Sequence, residues 1–128
     1  MSGASSWSLA EADHDKIVVL LTAFLRESNA RTALLVDRTG QMVATAGEPP
    51  EFDPTTFASL AAADFSANDQ LARLIGEPEF GSLFHQGETA SMYLADIARR
   101  VILVVLFDTR TTLGLVKLRV RGTVGDLS

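Results

Sequence analysis

The residues best suited to chemistry in this sequence are two histidines and one loop arginine. His14 and His85 would serve as bases or metal ligands if partners stood at ligand spacing, but neither has such a partner. Arg110 follows a strongly apolar segment, and a loop arginine can stabilise charge on a phosphate held by another protein. We favour a pairing with Asp108 or a contact at a helix end, because surface arginines are common and such catalytic arginines are rare. These residues predict neither a metal site nor an active site.

The remaining polar residues do not form a recognisable catalytic pattern. The phosphate-binding patterns GxxxxGK[ST] and GxGxxG and the nucleophile pattern GxSxG do not occur. We predict that Asp108 caps the turn into Thr111. No cysteine is present, so disulfides, thiolate zinc sites and a cysteine nucleophile are excluded. No cofactor is predicted. The other notable carboxylates fall at helix starts or in loops, where solvated or capping roles are usual: Asp13, Asp15, Glu48, Glu51, Glu77, Glu79 and Glu88.

Composition indicates a globular protein that works without nucleic acid or membrane. The length of 128 residues is usual for one domain, and 47% of the residues are hydrophobic. A net charge of −5 argues against a nucleic-acid surface, which would be basic. Residues 1–7 lack the features of a signal peptide, and the longest apolar run, Val101–Phe107, is too short to span a bilayer. We therefore predict a cytoplasmic protein.

The first part of the chain predicts a helix followed by a β-hairpin. Apolar residues recur at helical spacing between Ser8 and Ser28, with Ser8 and Glu11 as a capping box. Strands are predicted for Thr32–Asp37 and Gln41–Ala46, because Asp37 and Gly40 between them favour a tight turn.

A second helix is predicted from Asp53-Pro54 to Leu74 or Ile75, with Gly76 as its stop. We assign its core face to Phe57, Leu60, Ala61, Leu71, Leu74 and Ile75. The middle of the helix is small-sided on nearly every face, at Ala58, Ser59, Ala61, Ala62, Ala63, Ser66 and Ala67. Alanine favours helices in any case, but such a surface also permits close approach of another backbone.

Three strands and a helix complete the domain. The strands are predicted for Phe80–His85, Thr89–Ile97 and Arg100–Asp108, and the helix for Thr111–Arg121, capped by Thr111 or Thr112. The fold class is α/β (α+β), in the order α-β-β-α-β-β-β-α, with a mainly antiparallel five-stranded sheet packed by helices. Residues 1–128 form one domain, with 1–7 and 122–128 as flexible tails.

Several segments resemble the Roadblock/dynein light chain family and, within it, the MglB-like bacterial branch. They are Leu71–Phe80, Phe84–Gly87, Val101–Arg119 and the hairpin Leu34–Gln41. The resemblance implies the Roadblock fold and a homodimer whose sheets join across a two-fold axis, with the second helices side by side. It also implies a GTP-bound Ras-like small GTPase of cell polarity or motility as partner. GTP hydrolysis by this partner would be stimulated without a catalytic residue inserted by the Roadblock protein.

The resemblance also assigns sites. The GTPase would dock on the paired second helices, where we predict contacts from Ala58, Ser59, Ala62, Ala63, Ser66, Asp69 and Gln70. The strand Phe80–His85 is short and bounded by Pro78 and Gly87, as befits a pairing edge. The predicted dimer interface is Phe65, Phe80, Ser82, Leu83, Phe84 and His85.

The sequence departs from the family pattern at two places, and two alternative functions stay open. Asn68-Asp69-Gln70 replaces a small or glycine-containing stretch and would alter partner choice, and the ending at Ser128 omits an extension that would strengthen partner binding. The same dimer would also serve as an adaptor for a GTPase or another Roadblock protein. A ligand sensor is the third interpretation, with a pocket lined by Met42, Phe57, Phe65, Met92 and Tyr93. Filled core is the commoner fate of such residues.

Overall fold

The sheet at the centre of the protein has five antiparallel strands in the order β2-β1-β5-β4-β3. The structure is a computed structural model that describes residues 10–127, and the side chains of residues 13–127. The predicted order α-β-β-α-β-β-β-α is confirmed. The elements are α1 (Ala10–Ser28), β1 (Thr32–Asp37), β2 (Met42–Gly47), α2 (Pro54–Leu74), β3 (Ser82–Gln86), β4 (Ser91–Ile97), β5 (Val101–Phe107) and α3 (Leu113–Leu127).

Helices cover the sheet on both faces and divide the core into two layers. Helices α1 and α3 contribute Leu21, Phe24, Val116 and Val120 to one layer. Helix α2 contributes Ala58, Ala61 and Phe65 to the other. Because side chains alternate along a strand, β5 sends Leu103 and Val105 to the first layer and Ile102 and Val104 to the second. This two-sided burial explains the continuous apolar run of β5, as predicted.

The turn between β1 and β2 has the predicted chemistry. The Asp37 carboxylate accepts hydrogen bonds from the backbone N–H groups of Thr39 and Gln41, each at 3.0 Å, and from the Thr39 hydroxyl at 2.7 Å. Gly40 has a φ of 97°, which glycine adopts without a steric cost. Burial is the largest influence on Asp37 and raises its pKa, but the hydrogen bonds from Thr39 and Gln41 outweigh it, so the net pKa is lowered.

Replacing Asp37 is expected to cost stability in a pH-dependent way. A carboxyl whose pKa is lowered by folding stabilises the protein above its unfolded pKa of about 3.9 and loses that contribution as the pH falls further. Asp37→Ala should lower the free energy of unfolding by about 2 kcal/mol at neutral pH, because three donors lose a charged acceptor. Urea titrations at neutral pH and near pH 2.5 should show the deficit shrinking in acid, whereas exposed Glu51→Ala should show no deficit. An unchanged deficit in acid would argue against this role.

The structure corrects several boundaries. Ser8, the predicted cap of α1, lies outside the described residues. Phe80 precedes β3, which begins at Ser82 and ends at Gln86. The N–H of Leu115 is 3.2 Å from the Thr112 hydroxyl, so Thr112 caps α3.

The predicted end of α3 at about Arg121 is too early, because residues 122–127 continue the helix. Thr123 is buried, and Val124 and Leu127 pack against the layer formed by α1. The tertiary contacts of these side chains outweigh the low helix propensity of Gly122 and Gly125.

Candidate functional site

Helix α2 lies on the sheet through small side chains. Its buried residues are Ala58, Ala61, Phe65, Asn68 and Ala72, spaced three or four apart along one face. Phe65 is the single large apolar side chain among them and is 0% exposed. The buried alanines allow the helix backbone to approach the sheet, whereas the other small residues, Ser59, Ala63, Ser66 and Ala67, are exposed on its outer side.

The leucines of α2 and the residue at its C-terminal cap, Ile75, are exposed and do not pack on the sheet. Leu60 is 65% exposed, Leu71 59%, Leu74 82% and Ile75 70%. Their predicted place in the core is wrong. Leu60, Leu71 and Leu74 form a second stripe at helical spacing, about a third of a turn around the helix from the buried one. An apolar stripe on an exposed helix is the usual mark of a protein-interaction surface.

Most of the predicted GTPase contacts lie on the outer side of α2. Ser59, Ala63, Ser66 and Gln70 are exposed, and Ala62 is half-buried. The structure brings these five residues together as one strip, which we call the outer strip. Two predicted contacts differ from the strip: Ala58 is 0% exposed against the sheet and offers a partner no surface, and Asp69 is half-buried.

The residues predicted for the dimer interface lie at one edge of the sheet. Strand β3 pairs only with β4, so its outer side is unpaired within residues 10–127. Ser82, Leu83 and Phe84 are half-buried and His85 is exposed. The remaining two lie apart from this strand, with Phe80 before it and Phe65 in the core beneath α2.

A side-chain hydrogen bond links this edge to α2. Nε2 of His85 is 2.6 Å from Oδ2 of Asp64. Asp64 lies on the same helix face as Leu60 and Leu71, four residues after the first and seven before the second. The pair therefore places Leu60 and Leu71 on the side of α2 nearest to β3. Sequence reasoning missed this combined surface because it assigned both leucines to the core.

A second polar contact holds the opposite side of α2. Arg38, in the β1–β2 turn, donates from Nη1 to Oδ2 of Asp69 at 2.9 Å and from Nη2 to Asp96 at the end of β4. Its guanidinium carbon lies 5.2 Å from the centroid of the Phe65 ring. Burial, the largest influence, lowers the pKa of Arg38, but the hydrogen bonds to Asp96 and Asp69 outweigh it and the net pKa is raised.

Arg110 is engaged within the protein, as our preferred interpretation predicted. Its Nε donates to Oδ1 of Asp108 and its Nη2 to Oε2 of Glu48, each at 3.0 Å. The side-chain hydrogen bond from Arg110 is the main cause that lowers the pKa of Asp108 and of Glu48. Asn29 also donates to the Arg110 carbonyl at 2.8 Å. These contacts join the loops around β1, β2 and β5, and they explain Arg110 structurally.

The other candidates for chemistry do not converge. His14 is exposed on α1, and residues 10–127 contain no group of three His, Cys, Asp or Glu that could hold a metal ion. A cavity of about 650 Å³ lies between α1, the end of α3 and the sheet, and Met42 lines it. The other four residues of the predicted sensor pocket do not, because Phe57, Phe65 and Met92 pack beneath α2 and Tyr93 packs in the opposite layer.

The helices of the described region are too short or too polar to cross a bilayer. The described residues form a small α+β domain with an open strand edge beside a helix with exposed leucines. The Roadblock/LC7 domain matches residues 16–107, and the chain belongs to this family of regulatory, non-catalytic domains.

Comparison with solved structures supports the MglB-like resemblance. MglB from Myxococcus xanthus is 42% identical, with a TM-score of 0.84 over 88% of this chain and 91% of that one. The gliding protein MglB from Thermus thermophilus is 35% identical, with a TM-score of 0.83 over 90% and 87%. An MglB with a tetrameric arrangement is also 35% identical, with a TM-score of 0.86 over 92% and 89%. The comparison with curated proteins gives no match.

Proposed function

We propose that this chain is a homodimeric regulator of a Ras-like small GTPase of the MglA type and accelerates GTP hydrolysis by that partner. The single observation that carries the proposal is the exposed apolar side of α2, in a chain 42% identical to Myxococcus xanthus MglB. The chain acts through its surface, since Arg110, its best candidate for a catalytic arginine, is bound to Asp108 and Glu48. The role belongs to bacterial cell polarity or motility and to the cytoplasm.

The dimer forms along β3 and the adjacent side of α2. Pairing of β3 with the same strand of a second copy satisfies backbone groups that an edge strand leaves open. The same approach brings Leu60 and Leu71 of both copies towards the two-fold axis and removes their apolar surface from water. This arrangement accounts for the exposed leucines without requiring a further partner.

The GTPase binds across the outer strip of the two α2 helices. The surface there is uncharged and consists mostly of small side chains, from Ser59, Ala62, Ala63, Ser66 and Gln70. Such a surface admits close contact along its length, because small side chains neither project nor require desolvation of charge. Binding there would reposition the catalytic groups of the GTPase itself, and this chain would add none of its own.

The direct test is phosphate release by the cognate GTPase loaded with GTP. Addition of this protein should raise the single-turnover rate, and the rate should saturate with its concentration. Binding without acceleration would favour the alternative function, an adaptor that recruits a GTPase or another Roadblock protein. Higher assembly also fits an adaptor, as one MglB relative has a tetrameric arrangement. Absence of GTPase binding at high micromolar concentration would reject both the regulator and the GTPase adaptor, leaving an adaptor for another Roadblock protein.

Substitution on the outer strip should separate binding from folding. Ser66→Arg, and likewise Ala62→Arg, should weaken GTPase affinity by at least about tenfold, because a bulky cation blocks close approach and must be desolvated. The melting temperature should change little for exposed Ser66. Thr22→Arg on exposed α1, in the opposite layer, is the matched control and should leave affinity unchanged. Full affinity of folded Ser66→Arg would show that the partner binds elsewhere.

A further inference from the structure

The position of α2 depends on few strong contacts. Four of its five buried residues are alanines or an asparagine, and Phe65 is the single large apolar side chain among the five, with half-buried Phe57 packed against the same layer. A helix held mainly by alanines against a sheet loses little contact area when it shifts or rotates slightly. The polar contacts at its flanks therefore carry an unusual share of its positioning.

Asp69 contributes to this positioning through one of its carboxylate oxygens. Oδ2 accepts from Nη1 of Arg38 at 2.9 Å, and Oδ1 is buried without a hydrogen-bond partner among the described residues. The side chain is only 16% exposed, so it offers a docked protein little surface. Gln70, the next residue, is exposed and belongs to the outer strip.

Arg38 connects Asp69 to two turns of the sheet. Its other Nη atom binds Asp96, and its backbone N–H donates to the carbonyl of Arg100 at 3.3 Å. The same turn touches α2 a second time, because a Cβ on Gly40 would lie only 3.3 Å from the Cα of Ser59. Ser59 and Asp69 are about 15 Å apart along the helix, and the outer strip lies almost entirely between them.

We propose that Arg38 is a positioning residue for the GTPase surface: through Asp69 it fixes the rotation and height of α2 and thereby the shape of the outer strip. Asp69, placed by sequence reasoning among the partner contacts, acts through Arg38 and not by touching the partner. This inference rests on the proposed function, since the surface being shaped is the one proposed to bind the GTPase. Lysine is a poor replacement for Arg38, because its one nitrogen would have to reach both Asp69 and Asp96, which two separate guanidinium nitrogens contact here.

A double-mutant cycle on GTPase affinity tests the proposal. Asp69→Asn should weaken binding by about tenfold in the wild-type background but by less than about twofold when Arg38→Met is also present. Gln70→Ala is the matched control on the neighbouring residue, and its effect should be the same in both backgrounds. Arg38→Lys should resemble Arg38→Met. An Asp69→Asn loss of equal size in both backgrounds would show that Asp69 contacts the partner directly and would overturn the proposal.

Hydrogen exchange distinguishes failure of this inference from failure of the proposed function. Asp69→Asn and Arg38→Met should each accelerate exchange at the same amides between Ser59 and Ala72, and the double variant should add little to either. If the wild-type protein binds no GTPase, the proposed function fails, and this coupled exchange still decides whether Arg38 positions α2. Unchanged exchange in both single variants overturns the proposal whatever the GTPase does.

Discussion

Leu71→Asp is expected to separate the dimer into monomers and to raise its dissociation constant at least about 100-fold. Leu71 lies on the β3 side of α2 and is 59% exposed in the single chain. In the proposed dimer, the new carboxylate would have to leave water beside the apolar surface of a second copy. Sedimentation equilibrium, or size-exclusion chromatography with light scattering, measures the change. The free energy of unfolding of the monomer should change by less than about 0.5 kcal/mol, since the substituted side chain is largely in solvent.

Leu118→Asp is the matched control for this experiment. Leu118 is 57% exposed, but it lies on α3 in the opposite layer of the fold. Both variants place the same charge on an equally exposed helix position, so a general effect of charge on association would appear in both. A dimer that survives Leu71→Asp would remove α2 from the interface, and a dimer lost in both variants would remove the distinction between the two faces.

Local chemistry was sufficient to predict most of the elements. The N-cap of α2 is Asp53, whose Oδ2 accepts from the N–H of Thr56 at 3.0 Å, and Pro54 begins the helix. The hairpin turn follows from Asp37 and Gly40, and β5 follows from its continuous apolar run. Each of these signals lies within a few residues of the structure it specifies, so neither the rest of the fold nor a partner is needed to interpret it.

The inner face of α2 was not predictable in the same way. The helix carries one apolar stripe of small residues and another of leucines, both at helical spacing. Residue size alone favours burying Leu60 and Leu71, as we predicted. The close approach of α2 to the sheet reverses that preference, and this distance is a property of the tertiary structure.

The polar contacts of α2 share this non-local character. Arg38 is separated from Asp69 by 31 residues and from Asp96 by 58. No spacing pattern connects such residues, and each taken singly looks like an ordinary surface charge. The sequence therefore predicted α2 as the binding element but did not show which residues hold it in place, because Arg38, Asp69 and Asp96 meet only in the folded chain.

Phe65→Ala is expected to lower the free energy of unfolding by about 3–5 kcal/mol, the usual cost of removing a fully buried phenylalanine. The loss should lie at the upper end, because the neighbours Ala58 and Ala61 are too small to fill the cavity. The ring also supports the Arg38 guanidinium, 5.2 Å from its centroid, and that contact disappears with it. Urea unfolding followed by circular dichroism measures the effect.

Phe52→Ala is the control for the stability loss expected of Phe65→Ala. Phe52 stacks on Phe57 with ring centroids 4.6 Å apart but is 38% exposed in the loop before α2. Its removal should cost only about 1 kcal/mol, because much of its surface is already in water. If the two variants lose equal stability, Phe65 is not the main anchor of α2. A much larger loss for Phe65→Ala would show that this ring is the main anchor of α2 on the sheet.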